Sequence, residues 1–220
     1  MAKRRRPRFK LDIPPRWWLW AALALVPLAV VNLSVSVLGD TRVFILSPLF
    51  LKSKVQALGT YLAHRPRCAV VGHPPLQPII AETERRNRLP AGLLRALIQV
   101  ESGTQVHRIS PAGAMGPGQL MPSTARLLGV SDPFDPASTI DGSARYLAEQ
   151  LRRFDSIPLA VAAYNAGPGN VRGRRVPRNG ETEFYVTRVM AAYSHFKPVV
   201  RKLLKRKSGK PARARMAAKR

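Results

Sequence analysis

The sequence predicts a mainly α fold, with a helical globular domain behind an N-terminal transmembrane helix. Three observations predict it. From about Leu76 to Phe196 apolar residues recur at helical spacing, and no period-2 run of any length interrupts them. From Trp17 to Leu38 there are 22 residues without a charge, long enough to cross a bilayer. The net charge of +25 is concentrated at the ends, with seven Lys/Arg in residues 1–16 and ten in residues 201–220. What lies between the two ends carries a milder basic excess. The charge therefore points to attachment to something anionic rather than to a basic core. Phospholipid head groups, anionic wall polymers and nucleic acid all qualify by charge alone.

The basic residues 1–16 precede the span, and Trp17, Trp18 and Trp20 stand where an interfacial aromatic belt would lie. Pro27 is tolerated in such a helix. The positive-inside rule keeps residues 1–16 in the cytoplasm and sends the rest outward. A cleaved signal peptide is the rival reading, but its apolar core would be unusually long and no clear A-x-A site follows Leu38. Residues 39–75 read as a stalk and linker. Within them 43–51 is apolar but broken by Pro48, suited to the membrane surface or the start of a stalk, and 63–78 is rich in Pro. Cys68 is the single cysteine, so it has no internal disulfide partner and reads as an incidental thiol.

Residues 76–196 read as the folded domain. Helices are expected over 79–88, Ala91–Glu101, the short run 122–129, 136–154, 157–167 and Glu181–His195. In the fourth, Ile140, Ala144, Leu147 and Leu151 share one side. Residues 197–220 form a basic tail, low in apolar content and expected to be disordered.

Glu101 is the residue that departs from ordinary patterning. Leu94, Leu97, Ile98 and Glu101 follow at i, i+3, i+4 and i+7, so the carboxylate shares the inward face of its helix. Burial and the negative end of the helix dipole both favour the protonated form, the profile of a general acid. A Glu that pairs within a core would show the same placement. Downstream, Gly113, Gly116 and Gly118 suggest close backbone approach to a ligand. Met115 and Met121 offer adaptable apolar contact, and the Gln119 amide offers donors and an acceptor for hydroxyl or acetamido groups. Neither the lysine of a phosphate loop nor a preceding strand is present. Tyr164 and Asn165, at the end of an apolar helix, can stack on a sugar ring and bond its substituents. Tyr185 on the last helix is, taken alone, most easily explained as core packing.

Taken together, Glu101-Ser102, Gly113-Ala-Met-Gly-Pro-Gly-Gln-Leu-Met-Pro122, Ala163-Tyr-Asn-Ala-Gly167 and Glu181-Thr-Glu-Phe-Tyr185 resemble the SLT-type lytic transglycosylases. These belong to glycoside hydrolase family 23 and have a goose-lysozyme-like fold. The resemblance covers about residues 76–196 and implies a lysozyme-like helical catalytic domain. One departure stands out: the family pattern Gly-x-Met-Gly-x-Met-Gln has Gly118 in place of its second Met.

The resemblance implies cleavage of the β-1,4 bond between N-acetylmuramic acid and N-acetylglucosamine in peptidoglycan, leaving 1,6-anhydro ends. Glu101 would act as acid and then as base. Ser102, Met115, Gln119, Tyr164, Asn165 and Tyr185 would hold the substrate, with Tyr185 also steadying Glu101. Two-carboxylate glycosidases need a second Asp or Glu across the bond. Around the proposed site the block residues supply only Glu101; Asp132 and Asp135 are the next acidic residues after it in the chain, and Glu181 suits a helix start. No metal or organic cofactor is implied.

The expected partners are peptidoglycan glycan strands and the bacterial inner membrane, with other envelope proteins as further candidates and nucleic acid excluded. The expected location is the inner membrane, single-pass, with the catalytic domain in the periplasm. A lysozyme-type hydrolase and a non-catalytic wall-binding module are the competing readings.

Overall fold

The computed structural model describes residues 16–71 and 75–208. The N-terminal basic residues 1–15 and the last residues of the expected tail, 209–220, lie outside the described residues. Helix α1 (Trp17–Leu38) coincides with the expected span, and Pro27 sits inside it without ending it. Its side chains are largely bare: Trp20, Leu23, Val26 and Val30 are all exposed. By length and composition such a helix is able to cross a membrane.

The segment read as stalk and linker holds a second helix, α2 (Leu51–Val71), which continues through Pro66. The buried residues explain why a helix forms. Lys54, Ala57, Tyr61 and His64 are buried at i, i+3, i+7 and i+10, one stripe of a helical surface. Ala57 and Tyr61 join Val35 of α1 and Ile109, Met115 and Phe134 of the folded domain in one apolar cluster. His64 Nδ1 lies 2.7 Å from Asp132 Oδ2 across the same seam. From Lys54 to His64 the segment expected to be linker is thus a packed helix.

The rest is a helical domain: α3 (Leu76–Arg86), α4 (Leu93–Ser102), α5 (Pro122–Leu127), α6 (Pro136–Phe154), α7 (Ile157–Ala166), a 3-10 turn at Pro168–Asn170, and α8 (Glu181–Ser208). Among the described residues β-type pairing is limited to isolated bridges joining Ile109 with Met115 and Met115 with Leu120. The last helix runs past the expected end at His195. No glycine stops the chain before Gly209, and Lys, Arg and Leu are good helix formers. The first part of the expected tail is therefore helical.

Helix α4 is the centre. Leu93, Leu94, Ala96, Leu97 and Ile98 are fully buried, packed chiefly on α8 and also on α3. Its first turn has no side-chain cap of its own. Glu84, buried on α3, replaces one: its carboxylate accepts from the backbone N–H of Gly92 at 3.0 Å, Leu94 at 2.7 Å and Arg95 at 3.2 Å. Three otherwise orphaned donors and the positive helix end are satisfied by one carboxylate. Gly103, in the left-handed region at φ 64°, closes the other end directly after Ser102. Between α6 and α7 the core is completed by Ile140, Ala144 and Leu147 against Leu159 to Ala163. Asp135 caps α6 by accepting from Ser138 N at 2.8 Å, with Pro136 at its first position.

Candidate active site

Glu101 stands in the last turn of α4, partly buried, where the helix carbonyls point and no helix N–H is available to it. Its Oε1 accepts a hydrogen bond of 2.6 Å from the phenol of Tyr185 on α8. Burial pushes the Glu101 carboxyl up to about 7; the Tyr185 hydrogen bond and the nearby Arg188 charge pull the other way but do not cancel it. Tyr185 is itself buried, and burial together with the Glu101 charge holds its phenol protonated well above the usual range. Tyr185 is thus fixed as a donor to Glu101.

Tyr164, near the end of α7, is raised by burial first and the Glu101 charge second. Its hydroxyl donates to the carbonyl of Gly118 at 2.8 Å and lies 3.0 Å from Ser143 Oγ. A carbonyl can only accept, so the Tyr164 proton goes to Gly118 and Ser143 donates to Tyr164. This resolves the departure at Gly118. A Cβ there would lie 2.0 Å from Ser143 Oγ, so the space is already taken by α6. Glycine at 118 leaves no void; it admits Ser143 and Tyr164 to the loop.

The other expected site residues fall into two groups. Gln119 is partly exposed, with φ 49°, and its amide nitrogen donates to the carbonyls of Gly116 at 2.9 Å and Arg108 at 3.2 Å. Asn165 is exposed, and its Oδ1 accepts from Thr182 Oγ1 at 3.0 Å, which ties the end of α7 to the start of α8. Ser102 and Met115 face inward. Ser102 is 1% exposed, donates to Ile98 O and accepts from Thr104 N. Met115, 2% exposed, packs with Val35 and Phe134. Each therefore positions backbone around the site.

The acidic neighbours are occupied elsewhere. Asp132 accepts from Phe134 N and pairs with His64, and Asp135 caps α6. Glu181 is exposed in the first turn of α8. Sequence reasoning passed over Ser143, Thr182 and Arg188. Arg188 follows Tyr185 by three residues, so helical spacing could have placed it on the same face. Ser143 carries no local signal.

A helical domain with a carboxyl group raised to about 7 at the C-terminal end of a buried helix, bonded by Tyr185 and neighboured by Tyr164, which holds the glycine-rich loop, is lysozyme-like. The match to the Transglycosylase SLT domain family covers residues 78–186, so the chain carries an SLT domain of the kind found in lytic transglycosylases. A transglycosylase of Enterobacteria phage PRD1 is 38% identical over 88 residues, covering 40% of this chain and 33% of the relative. Membrane-bound lytic murein transglycosylase F 2 of Alkalilimnicola ehrlichii is 38% identical over 109 residues, covering 46% of this chain and 24% of the relative. The chain thus spans a third or less of the length of these relatives. An inactive mutant of the lytic transglycosylase Slt from Pseudomonas aeruginosa shares the fold, with a TM-score of 0.50 at 21% identity, covering 84% of this chain and 32% of that one.

Two outcomes follow from the geometry. A carboxyl raised from 4.5 to about 7 contributes stability below pH 4.5 that is lost as pH rises through 7. Glu101→Gln should therefore gain stability relative to wild type across that window, by at most about 3 kcal/mol. Urea denaturation at pH 4.5 and pH 8 measures it, and a constant difference would disprove the raised pKa. Separately, Gly118→Met should destabilise by about 1–3 kcal/mol through overpacking. Adding Ser143→Gly should recover part of that loss, and a double variant no better than the single one would reject the steric reading.

Proposed function

We propose that this protein is a membrane-anchored peptidoglycan lytic transglycosylase. It would cleave the β-1,4 bond between N-acetylmuramic acid and N-acetylglucosamine. The observation that carries this is Glu101, poised near neutrality and held by Tyr185. Protonated Glu101 donates to the glycosidic oxygen as the bond to the anomeric carbon breaks. The substrate's acetamido group stabilises the cationic centre, the known exception to the two-carboxylate scheme.

The carboxylate left behind is then stabilised by the Tyr185 hydroxyl and by Arg188. It takes the proton of the muramoyl C6 hydroxyl as that oxygen closes onto the anomeric carbon. Glu101 is thereby regenerated, and no water is consumed. A group with a pKa near the working pH serves both halves of this cycle. That Asp132 and Asp135 are engaged elsewhere supports a one-carboxylate scheme. Gln119 and Asn165, at the surface of the loop and of α7, would bind sugar substituents, and Tyr164 would hold the loop to the cleft. Ser102 and Met115 would act by placing Glu101 and the loop.

Digesting intact sacculi and identifying the products by mass spectrometry tests the reaction. Wild type should release 1,6-anhydro muropeptides, and Glu101→Gln should lower the rate at least about a hundredfold, the usual scale of general acid–base catalysis. Reducing ends in place of anhydro ends would make the protein a hydrolase. Binding without products would make it a wall-binding module.

We further propose that α1 crosses the inner membrane once and leaves the domain in the periplasm. The seven basic residues before α1 support this orientation. The distant basic C-terminal region weighs little, because charges near the span decide. Alkaline phosphatase fused at the C-terminus should be active in cells, and an inactive fusion with stable expression would reverse the orientation.

A further inference from the structure

The segment between α1 and α2 does not lead away from the membrane helix. After α1 ends at Leu38 the chain turns at Asp40 (φ 49°) and runs back beside the helix. Val43 N donates to Ser36 Oγ at 3.1 Å. Asn32, fully buried, directs its side-chain amide to the carbonyls of Ile45 at 2.8 Å and Ser47 at 3.0 Å, and also to Leu28 O at 2.9 Å. Its Oδ1 accepts from Lys54 Nζ at 2.7 Å. Two polar side chains of an otherwise apolar helix, Asn32 and Ser36, thus bond the backbone of the returning segment.

The outer face of that segment is apolar and bare. Phe44 is 76% exposed, Leu49 66% and Phe50 56%, with Ile45 and Leu46 beside them. Arg42 and Lys52, both exposed, flank the patch. Depth decides what covers it. From Trp17 to Val31, before the docking level at Asn32, α1 is 15 residues long, about 22 Å at 1.5 Å per residue. A hydrocarbon core of about 30 Å needs some 20 residues, which reaches Ser36. A bilayer spanned by α1 must therefore extend past the level at which Ile45 and Ser47 are docked.

At that depth, irregular backbone is tolerated only where its polar groups are met by protein. Asn32 and Ser36 meet three of them, Ile45 O, Ser47 O and Val43 N, and Ser47 N closes a turn onto Phe44 O at 2.9 Å; Lys54 is shielded inside the protein at 1% exposure.

We propose that residues 43–51 form a second, half-immersed membrane contact, seated among the acyl chains of the leaflet where α1 emerges. Arg42 and Lys52 lie at the phosphate level. This rests on the reading of α1 as a membrane span. The contact has a consequence for the site, because Gly113, with φ 85°, abuts the start of α2: a Cβ there would lie 2.6 Å from Ser53 C and 2.8 Å from Lys54 N. A cavity of about 390 Å³ lies along the same seam, lined by Arg42, Phe44, Phe50, Ser110 and Glu181 among others. The glycine-rich loop is therefore fixed to an element held in the bilayer surface, and the site works on glycan close to the membrane.

The test is depth-dependent fluorescence quenching of the full chain in phosphatidylethanolamine/phosphatidylglycerol vesicles. Cys68→Ser provides the background, and an environment-sensitive label is attached through Phe44→Cys or Leu49→Cys. Leu25→Cys marks the span and Leu127→Cys, 81% exposed on the folded domain, marks water. The labels at 44 and 49 should be blue-shifted and quenched by acyl-chain nitroxide lipids several-fold more than the label at 127. If only the label at 25 is quenched, the second contact is overturned and the span stands. If neither region is quenched, the span reading falls and the contact with it. Blue-shifted labels at 44 and 49 that lipid nitroxides do not quench would mean that protein covers the patch, which also overturns the proposal.

Discussion

The desolvation of Glu101 is the constraint around which the domain is arranged. A carboxyl moved from its ordinary range to about 7 represents about 3 kcal/mol that ionisation must overcome, and that free energy has to come from packing. Helix α4 supplies the packing. Leu93, Leu94, Leu97 and Ile98 are fully buried, and each such side chain stabilises by about 1.5–3 kcal/mol. The four outweigh the strain of one apolar carboxyl by a clear margin. The site is affordable because it sits at the end of the best-buried helix.

The two carboxylates that touch α4 show how position divides their roles. Glu84 meets the N-terminal end, where three N–H groups and the positive dipole end favour its charge; burial still raises its pKa, but the hydrogen bonds oppose that. Glu101 lies at the C-terminal end, where the helix offers only carbonyls. Its hydrogen-bond donor is instead the phenol of Tyr185, brought in by α8. Glu84 thus fixes the helix, while Glu101 is left with a carboxyl raised to about 7. Arg95 adds to the frame by stacking over the Phe196 ring at 4.3 Å, a second tie between α4 and α8.

Much of this was legible in the sequence, and the rest was hidden for physical reasons. The bounds of α1 and α6 follow from an uncharged run and from a Pro-initiated amphipathic repeat, and both were read correctly. The placement of Glu101 on the inward face was readable from spacing alone. Helix α2 was missed because two of its four buried stripe residues are polar, Lys54 and His64, and because Pro66 imitates a linker. Their burial depends on Asn32 and Asp132, partners 22 and 68 residues away. The role of Gly118 was hidden in the same way, since Ser143 reaches it only once α6 is packed. Local periodicity reports a residue's face; it does not report a polar partner supplied by tertiary structure.

Met115 shows what this costs and what it reveals. Its place in the glycine-rich block suggests contact with sugar, yet its side chain belongs to the cluster of Val35, Ala57, Tyr61, Ile109 and Phe134. The loop therefore has two faces with different attachments. Its inner face is pinned to α1 and α2 through Met115 and Gly113. Its outer side presents Gln119, and Gly118 receives the Tyr164 hydroxyl. Because closely packed interiors transmit displacement rather than absorb it, a shift of α2 relative to α4 would move Gln119 with respect to Glu101. Helices α1 and α2 are in this sense part of the site's scaffold, although they lie outside the 78–186 region that matches the family.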